Sequence, residues 1–409
     1  MATFVIVGAG LAGAKAAETL RTEGFDGNIV LIGAEPDRPY ERPPLSKGLL
    51  LGTADRDSAF VHEPDWYRDN GVDLRTGTTV TSVDLDRREV TLSGGEGLGY
   101  DRLLLATGAR PRTLPVPGAD LGGVLYLRTL ADSDRIAEAA VSGARLVIIG
   151  AGWIGLEVAA AARQRGATVD VVETADLPLQ RILGDRIATV FADLHREHGV
   201  NFHFGTQVAK LTGDHRVTRV ELGDGTVLPA DAVLVAVGAQ PNTELAERAG
   251  LTVENGVLVD AGLRTSDPHV YAAGDVANVE HPLLGTRIRV EHWANALHGG
   301  PAAALSMLGR EVSYDRLPYF YTDQYDLGME YSGFAPPGTT DRIVVRGDLA
   351  KREFIVFWTD GARVVAGMNV NVWDVADPIR AIIQAGLTGH TFDHGALADP
   401  DVPLEDLLP

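Results

Sequence analysis

The chain has 409 residues, 45% hydrophobic and 22% charged, with a formal net charge of −20 at neutral pH, a length that accommodates about two to four domains. The negative charge argues against nucleic acid or an anionic membrane surface as a general partner. The absence of cysteine excludes disulfides, thiolate metal sites, protein-ligated iron–sulfur clusters and a cysteine nucleophile.

No apolar run reaches the ~18 residues of a membrane span. The N-terminus enters a strand without a secretory leader, so a cytoplasmic, soluble protein is expected. Glycine, at 47 residues, is above the usual ~7%. Without a collagen-like period, the excess must serve local backbone turns.

The first segment, FVIVGAGLAGAKAAETLRTEGFDGNIVLIGAE (4–35), starts with a β-branched run that reads as a buried parallel strand. It continues through G-x-G-x-x-G into an alanine-rich helix and ends in a second strand closed by an acid, which makes a βαβ unit. Next comes YERPPLSKGLL (40–50), where adjacent prolines fix φ and stiffen the loop around Lys47, one of only four lysines.

EVTLSGGEGLGYDRLLLA reads as a hairpin leading into the strand LLLATGARP (103–111). The same order then repeats. LVIIGAGWIGLEVAAAARQRGATVDVVE (146–173) is a second βαβ unit, RVELGDGTVLPADAVLVA a second hairpin, and VLVAVGAQP (233–241) a second strand followed by x-G-x-x-P. The repeat therefore covers whole domains.

HVYAAGDVA (269–277) ends another strand, and a helix is expected from about Ala294 to Leu308. GREVSYDRLPYF looks like a boundary. Beyond it lie four strands of antiparallel pattern, LGMEYSGF, DRIVVRGD, REFIVFWTD and RVVAGMNV. A helix follows, ADPIRAIIQAG, with Pro378 near its start and Gly386 past its end, and then an acidic, loosely packed tail.

The fold class expected is α/β. Two Rossmann-like dinucleotide-binding domains are predicted, the second inserted in the first, with a C-terminal α+β domain. The boundaries are 1–112 with 236–315, then 113–235, then 316–409.

In the first fingerprint Gly8 makes the tight turn, Gly10 lets the backbone approach a pyrophosphate, and Gly13 lets helix pack on strand. The helix N-terminus offers free N–H groups to the anion, and Glu35 stands where a carboxylate takes ribose hydroxyls. Gly150, Gly152, Gly155 and Glu173 repeat the arrangement. Glu173 would accept from a 2′-hydroxyl and repel a 2′-phosphate, which favours NADH over NADPH, although Arg181 nearby could hold a phosphate. Two such sites imply two dinucleotides, and a nicotinamide passing hydride to a flavin is the economical reading.

His195, His198, His203, His292 and His298 fit no common metal template. HREH (195–198) reads as an exposed helix end, and no serine-nucleophile motif is present.

TSDPHVYAAGD (265–275) resembles the second FAD motif of the two-dinucleotide flavoprotein reductases. With VIVGAGLAG, YERPPLSK, LLLATGARPR, YLRTLADSD, VIIGAGWIGLEVAA, VYAAGDVA, VEHWANA and PYFYTDQYD, the chain resembles one family over nearly its full length. This is the FAD-dependent NADH–ferredoxin reductases of cytochrome P450 and aromatic-ring dioxygenase systems. RPPLSK and FYTDQYD discriminate far better than the glycines do. The family often carries tryptophan where this chain has Tyr319 or Tyr321.

The resemblance implies that Ala12, Glu35, Arg42, Lys47, Val80, Arg128, Asp275 and Val290 contact FAD, with Asp275 on the ribityl chain and the following helix N-terminus on the pyrophosphate. Gly8, Gly10, Gly13, Ala106, Thr107, Gly108, Gly274, Trp293 and Tyr321 complete the candidate FAD set. Gly150, Gly152, Ile154, Gly155, Glu157, Glu173 and Gly238 form the NADH set.

Lys47 and Glu157 are the candidate catalytic residues. Glu157 is either an acid suited to the dipole of the helix after its fingerprint or a carboxylate at the nicotinamide, paired with Lys47 across a domain interface.

The function implied is electron transfer from NADH through FAD to a 2Fe–2S ferredoxin, which serves a cytochrome P450 or a ring-hydroxylating oxygenase. A local basic patch should meet the acidic ferredoxin, drawn from Arg310, Arg316, Arg342, Arg346, Lys351 and Arg352. The alternatives are a sibling one-electron reductase acting on rubredoxin, monodehydroascorbate or a nitrite-reductase centre, or a non-enzymatic NADH-sensing protein of the apoptosis-inducing-factor branch. The lack of cysteine weighs against a disulfide or thiol-peroxide reductase on the same scaffold.

Overall fold

A computed structural model describes all residues, 1–409. The chain forms two compact units. The first comprises Met1–Glu41, Arg56–Arg110 and Gln240–Tyr319; the second comprises Arg42–Asp55, Pro111–Ala239 and Phe320–Pro409. No helix is long and apolar enough to cross a membrane.

The first unit is built on a five-stranded sheet in the order Val270–Ala272, Arg102–Leu105, Thr3–Val7, Asn28–Ile32, Val72–Arg75. All its pairs are parallel. Val5, Ile6, Leu31 and Leu104 are fully buried, as expected of short β-branched runs covered on both faces. The Leu11–Thr22 helix carries its alanines inward and meets the Trp293–Met307 helix at very short range. A Cβ on Gly300 would lie 2.1 Å from the Ala12 carbonyl oxygen, so only glycine allows that approach. The first predicted hairpin is present as three short antiparallel strands, Val80–Asp84, Glu89–Leu92 and Gly97–Gly99.

The second unit repeats the parallel sheet, in the order Val200–His203, Thr168–Val172, Arg145–Ile149, Ala232–Val235, Val124–Leu125. Its hairpin is Val217–Leu222 with Val227–Pro229. The same unit carries a mainly antiparallel sheet in the order Tyr319–Gln324, Leu327–Gly333, Arg363–Val370, Glu353–Asp360, Arg342–Asp348, and the Ala376–Leu387 helix. Its Tyr319–Gln324 strand was not among the strands expected; it starts in the last two residues of the stretch read as a boundary and runs on past it.

Two C-terminal expectations fail for packing reasons. Gly386 lies inside the last long helix rather than past its end, because a Cβ there would lie 2.1 Å from the Val364 carbonyl oxygen. The left-handed residue beyond the helix is Gly389, at φ 103°. The tail is not loose: Leu397 and Leu404 are buried, and the Arg346 guanidinium donates to the carbonyls of Pro400 and Val402.

Candidate functional site

Each fingerprint glycine has its own steric reason. In the first unit Gly8 stands at φ 118°, and a Cβ on it would lie 2.0 Å from the Ala106 carbonyl oxygen. One on Gly13 would lie 2.0 Å from the carbonyl oxygen of Gly8, whereas one on Gly10 would meet nothing within 4 Å. Gly10 is also the N-cap of the Leu11–Thr22 helix, in extended backbone, with no side-chain cap and no acid in the first turn. The helix therefore ends in uncapped N–H groups beside open space, which suits a pyrophosphate.

Thr107 and Gly108 bind Asn242 reciprocally. The Thr107 hydroxyl donates to the Asn242 carbonyl at 2.8 Å, the Asn242 amide returns a bond to the Thr107 carbonyl at 2.8 Å, and the Asn242 N–H donates to Gly108 O. Gly274, at φ 77°, faces the Ala12 side chain, where a Cβ would come within 3.2 Å. Glu35 lies three residues beyond the end of the Asn28–Ile32 strand and accepts from the Tyr40 hydroxyl.

Asp275 sits in the 3-10 turn Gly274–Val276. No α-helix follows directly, because the chain first makes two strands and the helix begins at Trp293. Trp293 lies near the Glu41 carboxyl. Burial raises the pKa of that carboxyl, and Trp293 and the Lys15 charge oppose the rise. Val290 offers its carbonyl to the Asn295 amide at 3.1 Å. Val80 is a buried strand residue paired with Leu92.

The second unit holds the second fingerprint in matching geometry. A Cβ on Gly150 would lie 2.4 Å from the Ala236 carbonyl oxygen, one on Gly155 would lie 2.1 Å from that of Gly150, and one on Gly152 meets nothing within 4 Å. Gly152 caps the Trp153–Gln164 helix without a side-chain bond.

Glu173 is pinned at its strand end. One carboxylate oxygen accepts from the Ala151 N–H at 2.8 Å, and the other from the Thr174 hydroxyl and the Ala175 N–H at 3.0 and 2.9 Å. Ile154 is 45% exposed despite its apolar side chain. Gly238, at φ 100°, accepts from the Arg112 N–H.

The proline loop also belongs to the second unit. Pro43 and Pro44 open a 3-10 turn, Pro43–Ser46. The Leu45 carbonyl accepts from the Ser133 hydroxyl at 2.7 Å, and that of Leu50 from the Arg165 guanidinium at 3.0 Å. Arg42 donates to the carbonyl of Arg128. The loop thus holds Lys47 Nζ 2.6 Å from Glu157 Oε1, with side-chain exposures of 15% and 5%.

Ser46 donates to the other carboxylate oxygen of Glu157, and Thr322 donates to Oε1 at 2.6 Å. The Tyr321 ring centroid lies 5.4 Å from Lys47 Nζ. A buried carboxylate with one ammonium and two hydroxyl donors is compensated, as a buried charge must be. The dipole alone therefore does not account for Glu157. Both members lie in the second compact unit.

Of the residues assigned to FAD by resemblance, Arg42, Lys47, Arg128 and Tyr321 belong to the second unit and the others to the first. Ser46 and Thr322 were missed, although each lies within one of the two most discriminating motifs.

The Pyridine nucleotide-disulphide oxidoreductase family matches residues 2–300, and the Reductase C-terminal family matches residues 319–408. The chain is 40% identical to putidaredoxin reductase of Pseudomonas putida, covering 99% of this chain and 96% of that protein. It is 42% identical to the ferredoxin–NAD(+) reductase component of the anthranilate 1,2-dioxygenase system of Burkholderia cepacia, over 99% of both. The crystal structure of the covalent putidaredoxin reductase–putidaredoxin complex holds a chain of the same fold, with a TM-score of 0.94 at 39% identity, covering 99% of this chain and 98% of that one. The chain belongs to the pyridine nucleotide-disulphide oxidoreductase family, among its ferredoxin reductases.

Proposed function

We infer that this chain is an NADH-dependent ferredoxin reductase that carries FAD and serves a cytochrome P450 or a ring-hydroxylating oxygenase. The observation that carries the reading is the pair of glycine-cradled, uncapped helix N-termini on two parallel sheets of one chain. With no cysteine in the chain, the dithiol chemistry of the wider family has no protein group to run on. Bound FAD supplies the exchange between a two-electron hydride donor and a one-electron iron–sulfur acceptor.

The chain's own residues bind and orient. The N–H groups after Gly10 take the FAD pyrophosphate, Glu35 the ribose hydroxyls, and Asp275 the ribityl chain. The N–H groups after Gly152 take the NADH pyrophosphate. The pinned Glu173 carboxylate receives the 2′-hydroxyl of NADH and repels a 2′-phosphate. Lys47 and Glu157 set a fixed charge pair toward the reacting rings, and the exposed Ile154 lies against the nicotinamide side. The location proposed is the cytoplasm, where the NADH pool and ferredoxins meet.

The test is anaerobic titration of the purified yellow protein with NADH, followed by cytochrome c reduction through a panel of 2Fe–2S ferredoxins. Bleaching of the visible flavin bands and ferredoxin-dependent turnover are expected, with a rate that falls steeply as salt is added. A flavin that NADH leaves oxidised, or turnover indifferent to every ferredoxin, would sink the reading.

A further inference from the structure

Beyond Thr322 the hydrogen bonds continue into the core of the second unit. The Thr322 oxygen accepts from the Gln324 side-chain amide at 3.1 Å, and Gln324 Oε1 lies 2.8 Å from His195 Nε2. Thr322, Gln324 and His195 are all essentially inaccessible to solvent. Apart from its Gln324 contact, His195 touches the rings of Phe202 and Tyr325, and its Nδ1 has no hydrogen-bond partner.

The direction of every bond follows from the carboxylate end. An ionised Glu157 can only accept, so the Thr322 hydroxyl donates to it. The Thr322 oxygen must then accept, which turns the Gln324 amide nitrogen toward it. That leaves the Gln324 oxygen facing His195, whose Nε2 must carry a proton. The unpartnered Nδ1 is then the bare nitrogen of a neutral ring. Burial, partly opposed by the Gln324 bond, holds the pKa of that ring down at about 4, in keeping with a ring that stays uncharged at neutral pH.

We propose that His195, Gln324 and Thr322 form a one-way hydrogen-bond chain that positions the Glu157 carboxylate against Lys47, its direction locked by the Nε2–H tautomer of a histidine buried under the site. These three are positioning residues that act through Glu157. The proposal rests on the function inferred above for its effect on NADH oxidation; the tautomer does not depend on that function. Ser46 and Lys47 hold Glu157 from the loop side, and the chain from His195 holds it from the sheet side. The carboxylate is thereby clamped between two segments that are remote in sequence.

The experiment uses the FAD-loaded protein with 15N-labelled histidine, the His195 signals being identified by their loss in His195→Gln. The expected wild-type spectrum has a protonated Nε2 and a bare Nδ1 from pH 6 to pH 8. Gln324→Glu keeps the shape but gives Thr322 a competing acceptor. Glu157 then loses its donor, and His195, now beside a carboxylate, takes up a second proton.

Thr322→Val and Gln324→Glu should each slow flavin reduction by NADH roughly tenfold to a hundredfold, the cost of a hydrogen bond to a charged group. His195→Gln, which keeps an N–H within reach of Gln324, should stay within about threefold of wild type, while His195→Leu falls with Gln324→Glu. An Nδ1–H tautomer in the wild type overturns the proposal, and so do wild-type rates in Thr322→Val and Gln324→Glu. Failure of NADH to reduce the wild-type flavin would instead overturn the function inferred above, and the spectrum would still decide the tautomer.

Discussion

Lys47 Nζ lies 2.6 Å from Glu157 Oε1, the ammonium 15% exposed and the carboxylate 5%. The asymmetry matters. Loss of Lys47 strands a carboxylate that water cannot reach, whereas loss of Glu157 leaves an ammonium with some access to solvent. Lys47→Met should therefore destabilise more than Glu157→Gln. The loss should stay below the ~3–5 kcal/mol of a buried charge left wholly unpaired, because Ser46 and Thr322 still donate to Glu157. Lys47→Met combined with Glu157→Gln should recover most of it. Urea unfolding of the four proteins checks the cycle, and stopped-flow reduction by NADH should be slow in Lys47→Met even where stability has been restored.

The fingerprint glycines separate into two classes. Gly10→Ala and Gly152→Ala place a methyl in open space at ordinary negative φ, −87° and −80°. They should fold as well as wild type but lose FAD and NADH affinity respectively, by about tenfold or more. Gly13→Ala and Gly155→Ala place a methyl about 2 Å from a carbonyl oxygen and should lose stability or expression. Thermal melts and flavin content of the purified proteins distinguish the two outcomes; equal behaviour of Gly10→Ala and Gly13→Ala would contradict the steric assignment.

Glu173 should set the choice of nicotinamide cofactor. Glu173→Ala removes the negative charge and the acceptor of the Ala151 N–H. KM for NADH should rise and the preference for NADH over NADPH should shrink by about tenfold or more, the scale of one charged hydrogen bond. Steady-state kinetics with both nucleotides measure the ratio. An unchanged ratio would place the discrimination elsewhere, with Arg181 the first residue to examine.

His195 makes stability depend on pH. Its folded pKa, about 4, lies below the usual 6.5 of an unfolded histidine. Between these values the unfolded chain binds the extra proton, so stability is fully present above pH 6.5 and falls as pH drops toward 4. The slope from this one group approaches about 1.4 kcal/mol per pH unit. Replacing it with a group that does not titrate, as in His195→Gln, should flatten the curve of unfolding free energy against pH over that window by the same slope. Parallel curves for the two proteins would show that the buried ring does not titrate as described.

The parallel sheets and both cradles were legible in the sequence because their constraints are local. A glycine whose Cβ would stand 2 Å from a carbonyl oxygen has no substitute, and the strand before it and the helix after it follow within a few residues. The Lys47–Glu157 pair was legible only through resemblance, since nothing in either segment alone names the other.

His195 was misread. HREH looked like an exposed helix end, and Arg196, Glu197 and His198 are indeed exposed. His195, however, falls on the buried face with Ile187, Phe191 and Leu194, a spacing of three and four residues that the sequence displayed. Gly386 was taken for a helix stop because helix glycines often are; its true constraint, the Val364 carbonyl, comes from a distant strand. The acidic tail misled because its composition hides two residues that pack, Leu397 and Leu404.

The proline loop has a consequence for recombining such proteins. Residues Arg42–Asp55 fold with the second unit although the chain on both sides of them folds with the first. Ser133 and Arg165 tie that loop to its unit through the carbonyls of Leu45 and Leu50. A chimera that exchanges only the contiguous 113–235 block would leave the loop of one parent to meet the helices of another. Lys47 would then face a foreign Glu157, and any mismatch would surface as a slow enzyme with intact cofactor binding. The transplantable module is discontinuous, and a graft that carries 42–55 along with 111–239 and 320–409 keeps the charge pair, its hydroxyl donors and its histidine anchor within a single parentage.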